Sequence, residues 1–271
     1  MNSPSLSTIA IVGARGGMGR LFAARCRTAG IAVREIDRPL TVDKVAAGVA
    51  GADVVLLSVP VTVTGEVARC VAPHMTTGAI LCDVGSVKVM PVQDMLSAYA
   101  GPVVGTHPLF GPNPAAGERT GPEGEGQSLR VAVMAGCPGR DDAALVAVER
   151  LMERLGFTTF RTDPHEHDRA MAFVQGLNFV TTVAYLAAQR NAGEIEKFIT
   201  PSFTRRLEAA RKLILEDAGL FGALFEANPH SQEAVRTYRN YLNVAAGGDV
   251  DLLAKRAAAW WNRETAAKDG S

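Results

Sequence analysis

Up to Arg161 the apolar positions come in short continuous or alternating runs of strand length, and beyond it they recur only at helical spacing. Ile9, Ile11 and Val12 form the first run, residues 31–37 alternate, and residues 52–60 are apolar almost throughout, as in a strand covered on both faces. Residues 78–88, 102–112, 129–135 and 157–161 supply four more. Helical patterns intervene from Met18 onward, over 63–72 and over 141–155. The character then changes. Thr162 or Asp163 can cap a helix whose first position is Pro164. Apolar residues follow at helical period over 171–188, 203–225, 231–245 and 250–267. The pattern predicts an α/β unit over residues 1–163 and an all-α unit over 164–271.

The first run opens directly into glycines. Gly13, Gly16 and Gly19 follow Val12 at once, Gly17 and Met18 lie between them, and an Ala-rich helix begins inside the turn. A strand, a tight turn and a helix N-terminus together make an anion site, because glycine lets the backbone approach a pyrophosphate while free N–H groups and the helix dipole favour it. The α/β unit is therefore expected to be a Rossmann-type, mostly parallel sheet, with Gly13, Gly16, Gly17, Met18 and Gly19 holding a dinucleotide. About 20 residues further on, where such a unit places the carboxylate for the ribose hydroxyls, stands Asp37. Glu35 is the alternative if the strand ends earlier, and Arg38 leaves room for a 2′-phosphate. A carboxylate at this place repels that phosphate, so NAD is expected rather than NADP. Ser58, Val59 and Pro60 end the run 52–60 and face the same cleft if the sheet is parallel. Asp83, Ser86 and Lys88 lie just past the next apolar stretch, and His107 ends the one after it.

Composition narrows the partners. Among 271 residues, 28 Lys and Arg balance 28 Asp and Glu, so nothing favours a nucleic acid or an anionic membrane. Cys26, Cys70, Cys82 and Cys137 form no paired motif, which fits a reducing cytoplasm. No leader pattern and no run of about 20 apolar residues is apparent, and a soluble, unexported protein is expected. His165 and His167 flank Glu166 near Asp168, yet at i and i+2 on a helix start they point to different faces. No metal is expected, and Glu166 and Asp168 are read as complements of the helix dipole. Residues 113–128, rich in Gly, Pro and Glu, read as a loop beside the site, either a lid or a surface insertion. Trp260 and Trp261, with Phe221, Leu224 and Phe225, would be a liability if exposed, so a homodimer through the helical unit is expected.

Residues 16–22 (Gly-Gly-Met-Gly-Arg-Leu-Phe), 57–60 (Leu-Ser-Val-Pro), 83–88 (Asp-Val-Gly-Ser-Val-Lys), 105–112 (Gly-Thr-His-Pro-Leu-Phe-Gly-Pro) and 166–175 (Glu-His-Asp-x-x-Met-Ala-Phe-Val-Gln) occur together and in order. In this combination the chain resembles the prephenate dehydrogenase family, and most closely the dehydrogenase domain often fused to chorismate mutase. The resemblance implies an NAD-dependent enzyme that oxidatively decarboxylates prephenate, on the route to tyrosine. Hydride leaves C4 of the ring as the 4-hydroxyl loses its proton, which calls for a base titrating near neutrality. His107 matches the family's catalytic histidine, and Ser86 the serine that bonds the histidine or the hydroxyl. Gln175 matches a residue that faces the substrate or the helix interface. The family's carboxylate-binding arginine, five residues before an Asp, falls here on Lys212, with Arg211 adjacent and Arg205 and Arg206 two turns earlier. A lysine cannot grip a carboxylate bidentately. Asn178 and Phe179 stand where the family commonly has a histidine. These departures keep an arogenate or 4-amino-4-deoxyprephenate dehydrogenase in play. A silent NAD-binding sensor of the same fold is the alternative from another class, and His107 with Ser86 speaks against it.

Overall fold

The computed structural model describes residues 6–114, 129–189 and 191–261; the loop expected over 113–128, lid or surface insertion, therefore falls, apart from Asn113 and Pro114, outside the described residues. Seven strands form one sheet: β1 (Thr8–Val12), β2 (Ala32–Ile36), β3 (Val54–Leu57), β4 (Ile80–Asp83), β5 (Val103–Pro108), β6 (Arg130–Ala135) and β7 (Thr158–Arg161). Their order is β2-β1-β3-β4-β5-β6-β7. Neighbours run parallel except β6, which pairs antiparallel with β5. The order reverses between β1 and β3, and in such sheets ligands bind at that switch point, beyond the C-terminal strand ends.

Alternation along β1 shows why its run is apolar on both faces. Ile9 and Ile11 join one buried cluster, with α1 (Gly17–Thr28) and α5 (Asp142–Arg154) supplying Phe22, Leu145, Val148 and Leu151. Ala10 and Val12 join the other, under α2 (Val42–Val49), α3 (Thr64–Val71) and α4 (Val89–Ala98). The sequence pattern assigned neither α2 nor α4 to a helix. Both are short, and α4 carries Pro91 in its first turn, where proline is tolerated.

Asp163 caps α6 (Pro164–Met171), accepting from the backbone N–H groups of His165 and Glu166. A six-residue π-helical segment, Ala172–Leu177, follows α6 and leads without a break into α7 (Asn178–Ala187). Thereafter come α8 (Ala192–Ile195), α9 (Pro201–Leu215), α10 (Ala218–Ala227), α11 (Ser231–Ala246) and α12 (Val250–Ala258). The single helix expected over 203–225 is two helices, because the backbone leaves helical geometry at Asp217, which begins α10. The apolar period runs through the break unmarked. The last helix is described only to Ala258, short of the expected 267.

Pro164–Ala187 corrects a second expectation. It is a continuous 24-residue helical stretch, long and apolar enough by length and composition to cross a bilayer. Its charged residues crowd into the first two turns, which leaves an apolar window behind them. Those turns are fastened to the sheet unit, and the core helix of a soluble protein meets the same measure of length and composition.

The fastening is made by Asp168, and it is not the dipole complement expected of it. Asp168 is fully buried, and its carboxylate oxygens accept from the N–H groups of Lys88 and Val89, each at 2.8 Å. It thus caps the N-terminus of α4 from a different helix. Asn228 donates to the Asp168 carbonyl at 2.7 Å and ties the α10–α11 joint to the same point. Asp168→Ala leaves two buried N–H groups unpaired and is expected to lower stability by about 2–5 kcal/mol in urea unfolding.

Candidate active site

The glycine turn after β1, the end of β2 and the end of β3 meet at the switch point. Gly13 has φ +85°, and a Cβ there would lie 2.2 Å from the Ser58 carbonyl oxygen; a Cβ on Gly19 would lie 2.2 Å from the Gly13 carbonyl oxygen. Only glycine allows this approach of turn, strand and helix. Among the described residues no side chain caps α1, and the N–H groups of Gly17, Met18 and Gly19 take no backbone acceptor. That is the donor set a diphosphate requires. Pro112, in the loop after β5, sits against Gly17, where a Cβ would meet its ring at 2.9 Å.

Asp37 lies just past β2 and accepts from the Arg15 backbone N–H at 3.2 Å through either oxygen, which orients its carboxylate beside the turn. Glu35, the alternative, is taken by an ion pair with Arg27. Ser58 donates its N–H to Val12 O, Val59 packs at the turn, and the Pro60 carbonyl accepts from Thr64. The residues expected to cradle a dinucleotide are therefore brought together, and the uncapped N–H groups and glycine contacts fit one.

On the same edge, His107 is the penultimate residue of β5, and it is buried. Beneath it lies a polar core. Lys88 is fully buried, pairs with Asp83 and donates to Thr106 O at 2.7 Å. Asp83 also accepts from the Gly85 N–H at 2.9 Å. The ion pair closes the loop after β4, and Ser86 sits half-buried at its tip. Among the described residues Ser86 makes no hydrogen bond to His107. The partner of His107 is instead His167, with Nδ1 and Nε2 2.8 Å apart and the rings edge to face. His167 Nδ1 lies 2.8 Å from Asp168 Oδ1. Burial first, then the neighbouring His167 and the Lys88 ammonium, hold His107 well below the ordinary imidazole pKa. The ring is consequently neutral near pH 7, as a proton acceptor must be.

His167 was read from sequence only as an improbable metal ligand. The signal that could have found it is the change of face at i and i+2: exposed His165 points away, toward His230, and buried His167 points in. Among the described residues no group of metal-ligating side chains occurs.

The remaining expected ligands are not brought to His107 by described contacts. Gln175 is half-buried in the π-helical segment. Arg205, Arg206, Arg211 and Lys212 are exposed on α9, which packs on α7 and α10, and Arg206 lies over Tyr185 at 3.8 Å. Phe179 stacks with Phe221 at 5.8 Å.

Comparison with known proteins fits this geometry. Residues 31–159 match the family model of the nucleotide-binding domain of prephenate dehydrogenase. The T-protein of Enterobacter agglomerans is 30% identical over 239 residues, which are 87% of this chain and 60% of that protein. The chain thus spans about three fifths of the length of such relatives. A crystal structure of prephenate dehydrogenase from A. aeolicus, in complex with hydroxyphenyl propionate and NAD+, shares the fold with a TM-score of 0.73 at 21% identity, covering 99% of both chains. Synechocystis arogenate dehydrogenase does so with a TM-score of 0.72 at 17% identity, covering 97% of this chain and 99% of that one. Over residues 31–159 the chain thus carries the nucleotide-binding domain of the prephenate dehydrogenase family, and its turn, its histidine near a strand end and these relatives agree with that.

Proposed function

We propose that the protein is an NAD-dependent dehydrogenase that oxidatively decarboxylates prephenate or a close cyclohexadiene relative, in tyrosine biosynthesis and in the cytoplasm. The observation that carries this reading is a neutral, buried His107 at a strand end on the edge that presents the glycine turn. Bound NAD supplies the hydride acceptor. The first N–H groups of α1 hold the diphosphate, and Asp37 takes the ribose hydroxyls and disfavours NADP. His107 Nε2 takes the proton of the 4-hydroxyl as the C4 hydride leaves, and Ser86 orients that hydroxyl. Loss of carbon dioxide then makes the ring aromatic: the bonding pair it leaves moves through the ring onto the carbonyl oxygen, which takes the proton back from His107. Residues 1–163 serve as the dinucleotide unit and 164–271 as the substrate and dimerisation unit.

Cations for the substrate carboxylates are to be drawn from Arg205, Arg211 and Lys212, with Gln175 as a polar contact. Lys212 at the arginine register and Phe179 in the stack with Phe221 favour a second reading, in which arogenate or 4-amino-4-deoxyprephenate is preferred. Reduction of NAD and of NADP, with each cyclohexadiene offered separately, tests the assignment. A brisk NAD-dependent rate on one of them is expected, and no rate on any would remove it. His107→Asn should lower kcat by about 10²–10⁴-fold while NAD affinity stays within about twofold; unchanged turnover would exclude His107 as the base.

The depressed pKa of His107 has a directional consequence. The base works when unprotonated, so kcat/KM is flat above its pKa and falls as pH drops through it. The acid limb of the profile is expected below the ordinary histidine range, and a limb within or above that range would contradict a buried neutral base.

A homodimer through the helical unit completes the reading. Trp260 and Trp261 are 58% and 81% exposed, with Leu215, Leu220 and Leu252 also outside, although Leu224 is buried within its own chain. Sedimentation equilibrium should return twice the mass of 28.6 kDa, and a monomer at micromolar concentration would refute it.

A further inference from the structure

Asp168, His167 and His107 form a line of hydrogen bonds whose directions can be worked out from one end. Asp168 accepts two backbone N–H groups, so its carboxylate has no proton to give and His167 Nδ1 must carry the hydrogen between them. In a neutral imidazole the other nitrogen is then bare, and His167 Nε2 accepts. The donor across the 2.8 Å gap is consequently His107 Nδ1. A neutral His107 with hydrogen on Nδ1 has its lone pair on Nε2, on the far side of the ring from His167.

We propose that His167, held by Asp168, is the positioning residue that presents His107 as the Nδ1–H tautomer and so makes His107 Nε2 the proton acceptor. The proposal rests on His107 being the base. Asp168 serves only one nitrogen of the buried His167 ring. His167 spends its second nitrogen on a ring 60 positions away in the sequence, across the junction of sheet and helices.

The same line accommodates the charge that the reaction creates. As the substrate O–H bond breaks, its proton joins His107 Nε2 and its electron pair becomes the new carbonyl bond, while hydride leaves with the C–H pair. The resulting imidazolium still donates from Nδ1 to His167. Transfer of that second proton to His167 Nε2 returns His107 to neutrality and leaves the cation beside Asp168. No proton is gained or lost by the pair beyond the one the substrate gave. The other charged groups at this place are the Asp83 carboxylate and the Lys88 ammonium paired with it, and that ammonium acts against a proton resting on His107.

Two measurements test this. His167→Phe keeps a ring of similar outline without nitrogens, and it should lower kcat about 10–100-fold, with KM and NAD affinity within about twofold. His167→Gln, whose amide oxygen can accept from Nδ1–H, should fall between that variant and the parent. A fully folded His167→Phe enzyme with parental kcat and pH profile would overturn the proposal, and it would leave the functional reading intact provided His107→Asn is inactive. The second measurement needs no turnover. Two-bond ¹H–¹⁵N spectra of histidine-labelled protein above neutral pH should show hydrogen on Nδ1 and none on Nε2 for both rings. Hydrogen on His107 Nε2, or a doubly protonated His167, would overturn it even if no substrate had been found.

Discussion

A single buried carboxylate holds the two halves of this molecule in register. Asp168 completes the N-terminus of α4, which belongs to the sheet, from α6, which begins the helices. Capping across elements is a stiff constraint, since two backbone N–H groups of one helix must find both oxygens of one side chain on another. With its remaining capacity Asp168 holds His167, and through it the ring of His107. A carboxylate buried this deeply costs several kcal/mol to desolvate unless every partner is in place. The geometry of the histidine pair is therefore as rigid as the junction itself.

The second constraint is electrostatic. Lys88 and Asp83 are both inside the protein, five residues apart, and their pairing closes the loop that displays Ser86. Removing either would strand the other in a medium that solvates it poorly. Burial, with the same ammonium beside it, makes a proton on His107 unwelcome. Structure and reactivity share one cause here: the polar core that organises the loop also keeps the base free of its proton. Burial acts in the opposite sense on nearby Cys82, pushing its thiol up to about 12 and keeping it inert.

The helical region follows a different economy. From α7 to α12 almost no side chain is fully buried in the described chain, whereas every residue of β3, β4 and β5 is. Helices of this length that lack a core of their own draw their stability from packing against something else. That is the physical ground for a second copy. It also bears on the cations of α9, which make no described contact with His107 within one chain.

Local signals determined a good deal. The glycine turn, the strand-end positions of Asp37, Ser58 and His107, and the α/β-to-helix change near Pro164 were all legible in the chain, because each depends on backbone demands or on hydrophobic period within a few residues. The two-helix break at Asp217 was not, since an apolar stripe carries its period across a change of axis. Only the tertiary structure decided the roles of Asp168 and His167. Both sit in the first two turns of a helix, where an acid ordinarily answers the dipole and a histidine ordinarily meets solvent. What they do instead depends on α4 and β5 arriving beside them from 60 to 80 positions away, and no pattern confined to a few neighbouring residues encodes that meeting.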